Sequence, residues 1–119
     1  MGYLYYGNYA LYYEIGRVEL LRSLGLSYKQ MEQEWGVMMP VINMSSRYLR
    51  PALYDEKVAI TTELRQLPSR EITFHFTLRD ASGKLLNGGR VELCFVEQAS
   101  GNRISCPPAL LSLLEAHFA

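Results

Sequence analysis

The hydrophobic pattern at the start of the chain is helical over residues 8–24. Asn8 can cap this helix, and Gly25 suits the left-handed conformation in which many helices end. Apolar residues follow the helical period in one row that further leucines widen: Leu11, Ile15, Val18, Leu20, Leu21 and Leu24. Because they occupy so much of the circumference, we expect a sheet to wrap this helix. Gly16 costs about 1 kcal/mol relative to alanine inside a helix, which predicts the close approach of another backbone.

A second short helical segment, SYKQMEQEWG, follows, and the period then changes from 3.6 to 2. A first strand lies within residues 37–49 and ends at Arg50 and Pro51. Three more strands have inward positions at every second residue: Val58, Ile60, Thr62 and Leu64, then Ile72, Phe74, Phe76 and Leu78, then Val91, Leu93 and Phe95. The segments between them, QLPSRE and DASGKLLNGG, have turn compositions. This pattern predicts an antiparallel meander with one dry face, which the long helix covers.

The C-terminal segment predicts a last short helix. Pro108 suits a helix start, and apolar residues follow at helical spacing: Leu110, Leu111, Leu114 and Phe118. A long helix followed by an antiparallel sheet indicates the α+β class and a single domain over residues 1–119.

Composition and charge exclude several classes of protein. The 119 residues are 49% hydrophobic and carry 12 basic and 12 acidic side chains, for a formal net charge of zero. This balance argues against a nucleic-acid binder, which needs clustered positive charge. No apolar run approaches the roughly 18 residues of a membrane span, and the start of the chain lacks the pattern of a signal peptide. We therefore expect a cytoplasmic location.

The cysteines and histidines do not form a metal-ligand pattern. Cys94 and Cys106 are far apart, and we expect two free thiols. The two histidines and two cysteines are far apart in the sequence, so we expect no metal site. His75 alternates with inward phenylalanines on its strand, so we expect its side chain to face away from the core. His117 near the C-terminus has no assigned role.

The opening residues carry a resemblance to a known family. The segment MGYLYYGNYALYYEIGRVELLRSLGL is similar to the first loop and helix of acyl-CoA thioesterases of the 4-hydroxybenzoyl-CoA and YbgC type. The matching residues are Gly2, Tyr5, Tyr6, Gly7, Asn8, Tyr9, Glu14, Arg17, Glu19 and Arg22. Two later segments, RYLRPALYDEKVAITTEL and GRVELCFVEQASGNRISCPP, resemble the family's Pro-Ala-Tyr segment and its closing strand. The resemblance spans essentially the whole chain and implies the hotdog fold, in which an antiparallel sheet wraps a long helix.

The resemblance also implies a reaction, the hydrolysis of a coenzyme A thioester. Water or a carboxylate attacks the acyl carbon while negative charge grows on the carbonyl oxygen. Unpaired N–H groups at a helix N-terminus stabilise such an oxyanion. The resemblance assigns this role to the backbone N–H of Tyr6, with Gly7 allowing close approach. Glu14 is a candidate general base, although Arg17 three residues later favours an ion pair that holds the helix in place.

Further residues are implied to bind the acyl-CoA. Asn8 and Tyr9 belong to the same loop, and Arg47 and Arg50 offer guanidinium groups for the phosphates of coenzyme A. Arginines on a sheet face can also be simply solvated, so both interpretations stay open. No cofactor is expected beyond the coenzyme A of the substrate itself. Family members pair through their sheets, which implies a homo-oligomer, either a dimer or a tetramer.

The chain departs from the family pattern in its first residues. The family's acidic residue would fall before Met1, together with the first strand, and Tyr6 replaces a frequent histidine. Either the sequence begins at an internal methionine of a longer gene, or the strand and its chemistry have been lost. We favour the first explanation because the loop, helix and strands otherwise keep the family pattern. We expect weak or no hydrolysis from these 119 residues alone, and a sheet edge without a partner.

Two other functions remain as alternatives to the thioesterase, the first less favoured than the second. A hotdog dehydratase needs a catalytic histidine with an acidic partner, but neither the first loop nor the long helix contains a histidine. A non-catalytic binder of acyl thioesters or aromatic ligands would keep the pocket without the acid. Coenzyme A binding without turnover would favour this binder over the thioesterase.

Overall fold

One long helix and an antiparallel sheet make up most of the structure. The computed structural model describes residues 6–49 and 57–118, so Tyr3, Tyr5, Arg50 and Pro51 lie outside the described residues. The elements, in chain order, are α1 Tyr6–Ser23, α2 Tyr28–Gln30, a π-helical turn Met31–Trp35, β1 Val37–Met38, β2 Val41–Tyr48, β3 Ala59–Leu64, β4 Glu71–Arg79, β5 Leu85–Glu97, β6 Arg103–Ile104 and α3 Pro108–Glu115. None of the described helices is long and apolar enough to cross a membrane.

The sheet has the strand order β2–β5–β4–β3, and every pair is antiparallel. The predicted meander of β3, β4 and β5 is confirmed, and β2 lies on the far side of β5. The short strands β1 and β6 both pair with the last residues of β5. In the described part of the chain, β3 pairs with β4 alone and β2 with β5 alone. The outer edges of these two strands are the lateral edges of the sheet.

The core lies between α1 and the inner face of the sheet. Alternate residues of β4 and β5 supply it, as predicted: Ile72, Phe74, Phe76, Leu78, Val91, Leu93 and Phe95. From α3, Leu110 and Leu114 are buried as predicted. Phe118 is exposed, contrary to the prediction, because α3 ends at Glu115.

Helix α1 buries a different face from the predicted one. Tyr13 and Leu21 are fully buried, whereas Leu11 and Ile15 are 54% and 44% exposed. The apolar row was misplaced because apolar residues lie on most sides of this helix, so their periodicity does not single out one face. The buried row instead includes Gly16, whose missing side chain lets the helix lie against β3 and β4.

Gly16 marks a close approach of α1 to the sheet. A Cβ atom there would lie 2.5 Å from Thr62 Oγ1, 3.0 Å from the Phe76 ring and 3.1 Å from Ile60 Cγ2. The expected close approach is confirmed, but its partners are side chains and not a backbone. Beside this contact, an open groove of about 380 Å³ runs between α1 and β3, with Ile15 and Leu20 on its helical wall.

Strand β5 begins earlier than the sequence predicted. The connecting turn is confined to residues 80–84, where Asp80 Oδ1 accepts hydrogen bonds from the backbone N–H groups of Ser82 and Lys84. The residues after this turn, which have a turn composition, extend the strand instead. Leu86 and Asn87 are fully buried there, so burial and pairing override the local preference.

The two cysteines are free and buried, in agreement with the sequence. Burial raises the pKa of the Cys106 thiol to about 11. Because the thiolate is the reactive form, Cys106 is a poor nucleophile at neutral pH.

Two adjacent glycines of β5 give a matched test of this packing. A Cβ on Gly89 would lie 2.2 Å from Tyr13 Cζ, whereas a Cβ on Gly88 would meet nothing within 4 Å. We expect Gly89→Ala to lower the free energy of unfolding by about 1–3 kcal/mol, the usual cost of overpacking. Gly88→Ala should change it by no more than about 0.5 kcal/mol. Urea denaturation measures both, and equal effects would contradict the position of the Tyr13 ring.

Candidate active site

The start of α1 supplies hydrogen-bond donors that have no acceptor within the helix. Because α1 begins at Tyr6, the backbone N–H groups of Tyr6, Gly7 and Asn8 belong to its first turn and have no acceptor within the helix. The prediction that Asn8 caps the helix is wrong, since the helix starts two residues earlier and Asn8 lies within the first turn. The positive end of the helix dipole adds to these donors. Such a turn can bind a carbonyl oxygen or an oxyanion.

Aromatic rings pack one turn after these donors. Tyr9 is only 3% exposed, and its ring meets that of Tyr48 on β2 edge to face, with 5.1 Å between the ring centroids. Tyr9, a predicted site residue, thus lies between the start of α1 and the edge strand. Tyr48 is half exposed, so this contact lies close to the protein surface.

A buried polar cluster that the sequence did not predict lies one turn further along α1. The Tyr13 hydroxyl donates a hydrogen bond to Asn87 Oδ1 and lies 2.6 Å from Ser46 Oγ. The Asn87 side chain donates to Ser46 Oγ at 2.9 Å and to the Arg47 carbonyl oxygen at 3.1 Å. Burial raises the pKa of Tyr13 above its ordinary value, so the hydroxyl is protonated at neutral pH. Contacts that span up to 74 residues leave no local signal in the sequence.

Glu14 is exposed on α1, and the predicted ion pair with Arg17 is not formed in the described part of the chain. Arg17 Nε instead donates a hydrogen bond to the Tyr28 hydroxyl, at 3.1 Å. Burial raises the pKa of Tyr28, and Arg17 opposes this shift. Glu14 follows Gly7 by seven residues, so it lies on the same side of the helix, about 10 Å further along the axis.

A different pair of charged residues on α1, also three positions apart, is formed: Arg22 Nη1 lies 3.0 Å from Glu19 Oε1. Both side chains of this pair are well exposed. An exposed pair of this kind contributes little to stability.

Arg47 lies on the outer face of the sheet, away from the start of α1. Side chains alternate along a strand, so Arg47 points opposite to Ser46 and Tyr48. It lines an open surface depression of about 350 Å³, together with Ser45, Arg65, His75, Thr77, Gly88 and Arg90. Arg65 lies 3.7 Å from Glu63, and Arg90 contacts Glu92. In the described residues no acidic side chain pairs with Arg47.

His75 lies in the same depression, on the outer face as predicted. Partial burial lowers the pKa of His75 below its ordinary value, and the positive charges of Arg65 and Arg90 lower it further. Glu63 acts in the opposite direction. His75 is therefore neutral at pH 7, and its pKa changes with the charges around it.

A long helix laid on an antiparallel sheet is the architecture of a hotdog-fold thioesterase. Residues 1–87 match the family model of the thioesterase superfamily. This match covers well over half of the chain, which belongs to that superfamily.

Named relatives and solved structures are similar along most of the chain. The chain is 29% identical over 85 residues to a candidate acyl-CoA thioesterase, YneP of Bacillus subtilis (strain 168). The matched region covers 71% of this chain and 61% of that protein. It is 26% identical to the acyl-CoA thioester hydrolase YbgC of Escherichia coli O157:H7, over 93% of this chain and 82% of that protein. The structure of DHNA-CoA thioesterase from Staphylococcus aureus is also similar, with a TM-score of 0.90 and 26% identity over 99% of this chain and 80% of that one.

The electrostatics of the outer face can be tested by titrating His75. We expect the imidazole signals of His75 to titrate below the ordinary value of about 6.5. Arg65→Gln removes a positive charge and should raise this pKa, whereas Glu63→Gln removes a negative charge and should lower it further. NMR of the histidine ring measures all three proteins. Shifts in the same direction for the two variants would contradict the described arrangement.

Proposed function

We propose that the protein is an acyl-CoA thioesterase, which uses water to split an acyl-CoA into a free acid and coenzyme A. The observation that carries this proposal is that the first-turn N–H groups of α1 have no acceptor within the helix, in a chain of the thioesterase superfamily. YneP and YbgC, whose names refer to acyl-CoA substrates, support the same class of substrate.

The chemistry begins with the thioester carbonyl at the start of α1. Its oxygen accepts hydrogen bonds from the N–H groups of Tyr6 and Gly7, which strengthen as negative charge develops on the oxygen. Gly7 has no side chain, so the acyl group can approach the backbone closely. Water then adds to the acyl carbon, the carbon–sulfur bond breaks, and the sulfur leaves as the thiolate of coenzyme A and takes up a proton.

Glu14 is our candidate for the group that activates the water. Its carboxylate is not engaged with Arg17, and it lies on the same side of α1 as Gly7. Loss of a positioned general base costs about 100-fold to 10,000-fold in rate. A fall of this size in Glu14→Gln, with no change in the matched variant Glu19→Gln, would support the role. Equal rates for the two variants would remove Glu14 from the mechanism.

Coenzyme A carries phosphates, and we propose that Arg47 meets one of them, with Arg50 beside it along the chain. The absence of an acidic partner for Arg47 among the described residues supports this assignment. A phosphate bound in the depression next to His75 would raise the pKa of that histidine. An unchanged His75 titration at saturating coenzyme A would exclude this position.

We further propose that the protein forms a homo-oligomer through β2. Met44, Ser46 and Tyr48 share the inner face of β2, but α1 covers only part of this face, and Met44 is 48% exposed. Several more apolar side chains are exposed along or beside this strand: Val41, Ile42 and Leu49. An exposed apolar edge strand favours pairing with a second copy. The same edge lies beside the Tyr9–Tyr48 contact, so a partner copy would complete one wall of the site.

The cytoplasm is the proposed location. Two free, buried cysteines fit a reducing compartment, where disulfides are rare.

The loop at the start of α1 gives the direct test of the activity. We expect weak release of free thiol from a panel of aliphatic and aromatic acyl-CoA thioesters, and we expect Gly7→Val to abolish it because the added isopropyl group fills the space that the thioester needs. Tyr6→Phe should keep most of the activity, since its backbone N–H is unchanged. Calorimetry measures coenzyme A binding for each protein.

Two outcomes would contradict this account of the site. Equal coenzyme A affinity for the wild type and Gly7→Val would remove the loop from the site. Binding by the wild type without turnover of any acyl-CoA would favour the non-catalytic binder.

The oligomer is tested at Met44. We expect Met44→Lys to place a charge in the contact between copies and to shift the protein to monomers in analytical ultracentrifugation. Asn43→Lys adds the same charge on the opposite face of the same strand and should leave the assembly intact. A wild-type protein that sediments as a monomer at micromolar concentration would contradict the proposal.

A further inference from the structure

Tyr13, Ser46 and Asn87 form a closed ring of hydrogen bonds. The Tyr13 hydroxyl donates to Asn87 Oδ1, and Asn87 Nδ2 donates to Ser46 Oγ. The remaining contact, between the two hydroxyls, is then made by the Ser46 proton. The second hydrogen of Asn87 Nδ2 goes to the Arg47 carbonyl. Both amide hydrogens therefore have acceptors, which fixes the orientation of the side chain.

These hydrogen bonds join three elements that are far apart in sequence. Tyr13 belongs to α1, Ser46 to β2 and Asn87 to β5. The helix lies mainly over β3 and β4, at the end of the strand order that is further from β2. Ser46 is half-buried, whereas the other residues of β2 are exposed. The edge strand thus contacts the helix at Ser46, through Tyr13, and at Tyr48, through Tyr9.

The position of the Tyr13 ring is fixed on both of its sides. Its ring stacks on Phe76 with 4.9 Å between centroids and an angle of 18°. On β5, Gly89 leaves the space that the ring occupies. Apolar packing is non-directional, whereas hydrogen bonds require particular distances and angles. The hydrogen bonds of the Tyr13 hydroxyl therefore add a directional constraint to the apolar packing of the helix.

We propose that Tyr13 is a positioning residue, which acts through Ser46 and Asn87 to set the first turns of α1 relative to β2. The donors of the first turn lie two turns upstream on the same rigid helix, so a small rotation at Tyr13 moves them relative to the acyl group. The catalytic consequence rests on the proposed thioesterase function. The effect on the helix itself does not.

The test compares three variants. Tyr13→Phe removes one hydroxyl and leaves Asn87 and Ser46 incompletely paired. The triple variant Tyr13→Phe/Ser46→Ala/Asn87→Leu replaces all three hydrogen-bonding side chains by apolar ones, a change that often restores stability. Ser23→Ala is the matched control, because it removes a hydroxyl that donates a hydrogen bond to the Leu20 carbonyl oxygen in the second half of the same helix.

Kinetics separate positioning from stability. We expect Tyr13→Phe to lower kcat about 10-fold to 100-fold, with KM changed less than about threefold, as for a small misplacement of a reacting group. The triple variant should regain the thermal stability of the wild type but not its kcat, whereas Ser23→Ala should keep the wild-type kcat. If kcat recovers in the triple variant, or is normal in Tyr13→Phe, the positioning role is wrong.

Amide hydrogen exchange gives a second readout that does not need catalysis. Tyr13→Phe should accelerate exchange in residues 9–12 of α1 and leave residues 18–23 unchanged, while Ser23→Ala should spare residues 9–12. Uniform acceleration along α1, or none, would overturn the inference. A wild type that hydrolyses no acyl-CoA would refute the proposed function, and the exchange experiment would still decide the role of Tyr13.

Discussion

The short distance between α1 and the sheet is the constraint on which the other features depend. Two glycines, one on each side of the interface, make this distance possible. Gly16 leaves room on the helix for Thr62 and Phe76, and Gly89 leaves room on β5 for the Tyr13 ring. A side chain at either position would force the helix away from the strands, because interiors are close-packed and have little free space. The position of the helix is therefore set by the absence of side chains at these glycines as much as by apolar contacts.

This close packing also orients the candidate site. With its buried face fixed, α1 presents its N-terminal turn beside β2, where Tyr9 meets Tyr48. The donors of that turn need no side chain, since they belong to the backbone. Polar anchoring by Asn87, which is fully buried, is favourable only because its hydrogen bonds are satisfied. The site thus combines generic backbone chemistry with a specific placement of the helix.

Much of the fold follows from local pattern, and the exceptions have physical reasons. The alternation on β4 predicted its buried residues correctly, because period 2 on a half-buried strand is unambiguous. The face of α1 was predicted wrongly, since Leu11 and Ile15 satisfy the helical period as well as Tyr13 and Gly16 do. The cluster around Asn87 was missed because its neighbouring glycines favour a turn, and only long-range pairing makes the segment a strand.

The central claim is that the first-turn N–H groups of α1 bind the thioester carbonyl. Two non-hydrolysable analogues of the substrate separate this contact from general binding. One replaces sulfur by a methylene and keeps the carbonyl as a ketone, and the other is a thioether without a carbonyl. We predict that the amide protons of Tyr6 and Gly7 shift downfield in NMR spectra with the ketone analogue and not with the thioether. Equal shifts with both analogues, or none with either, would contradict the account.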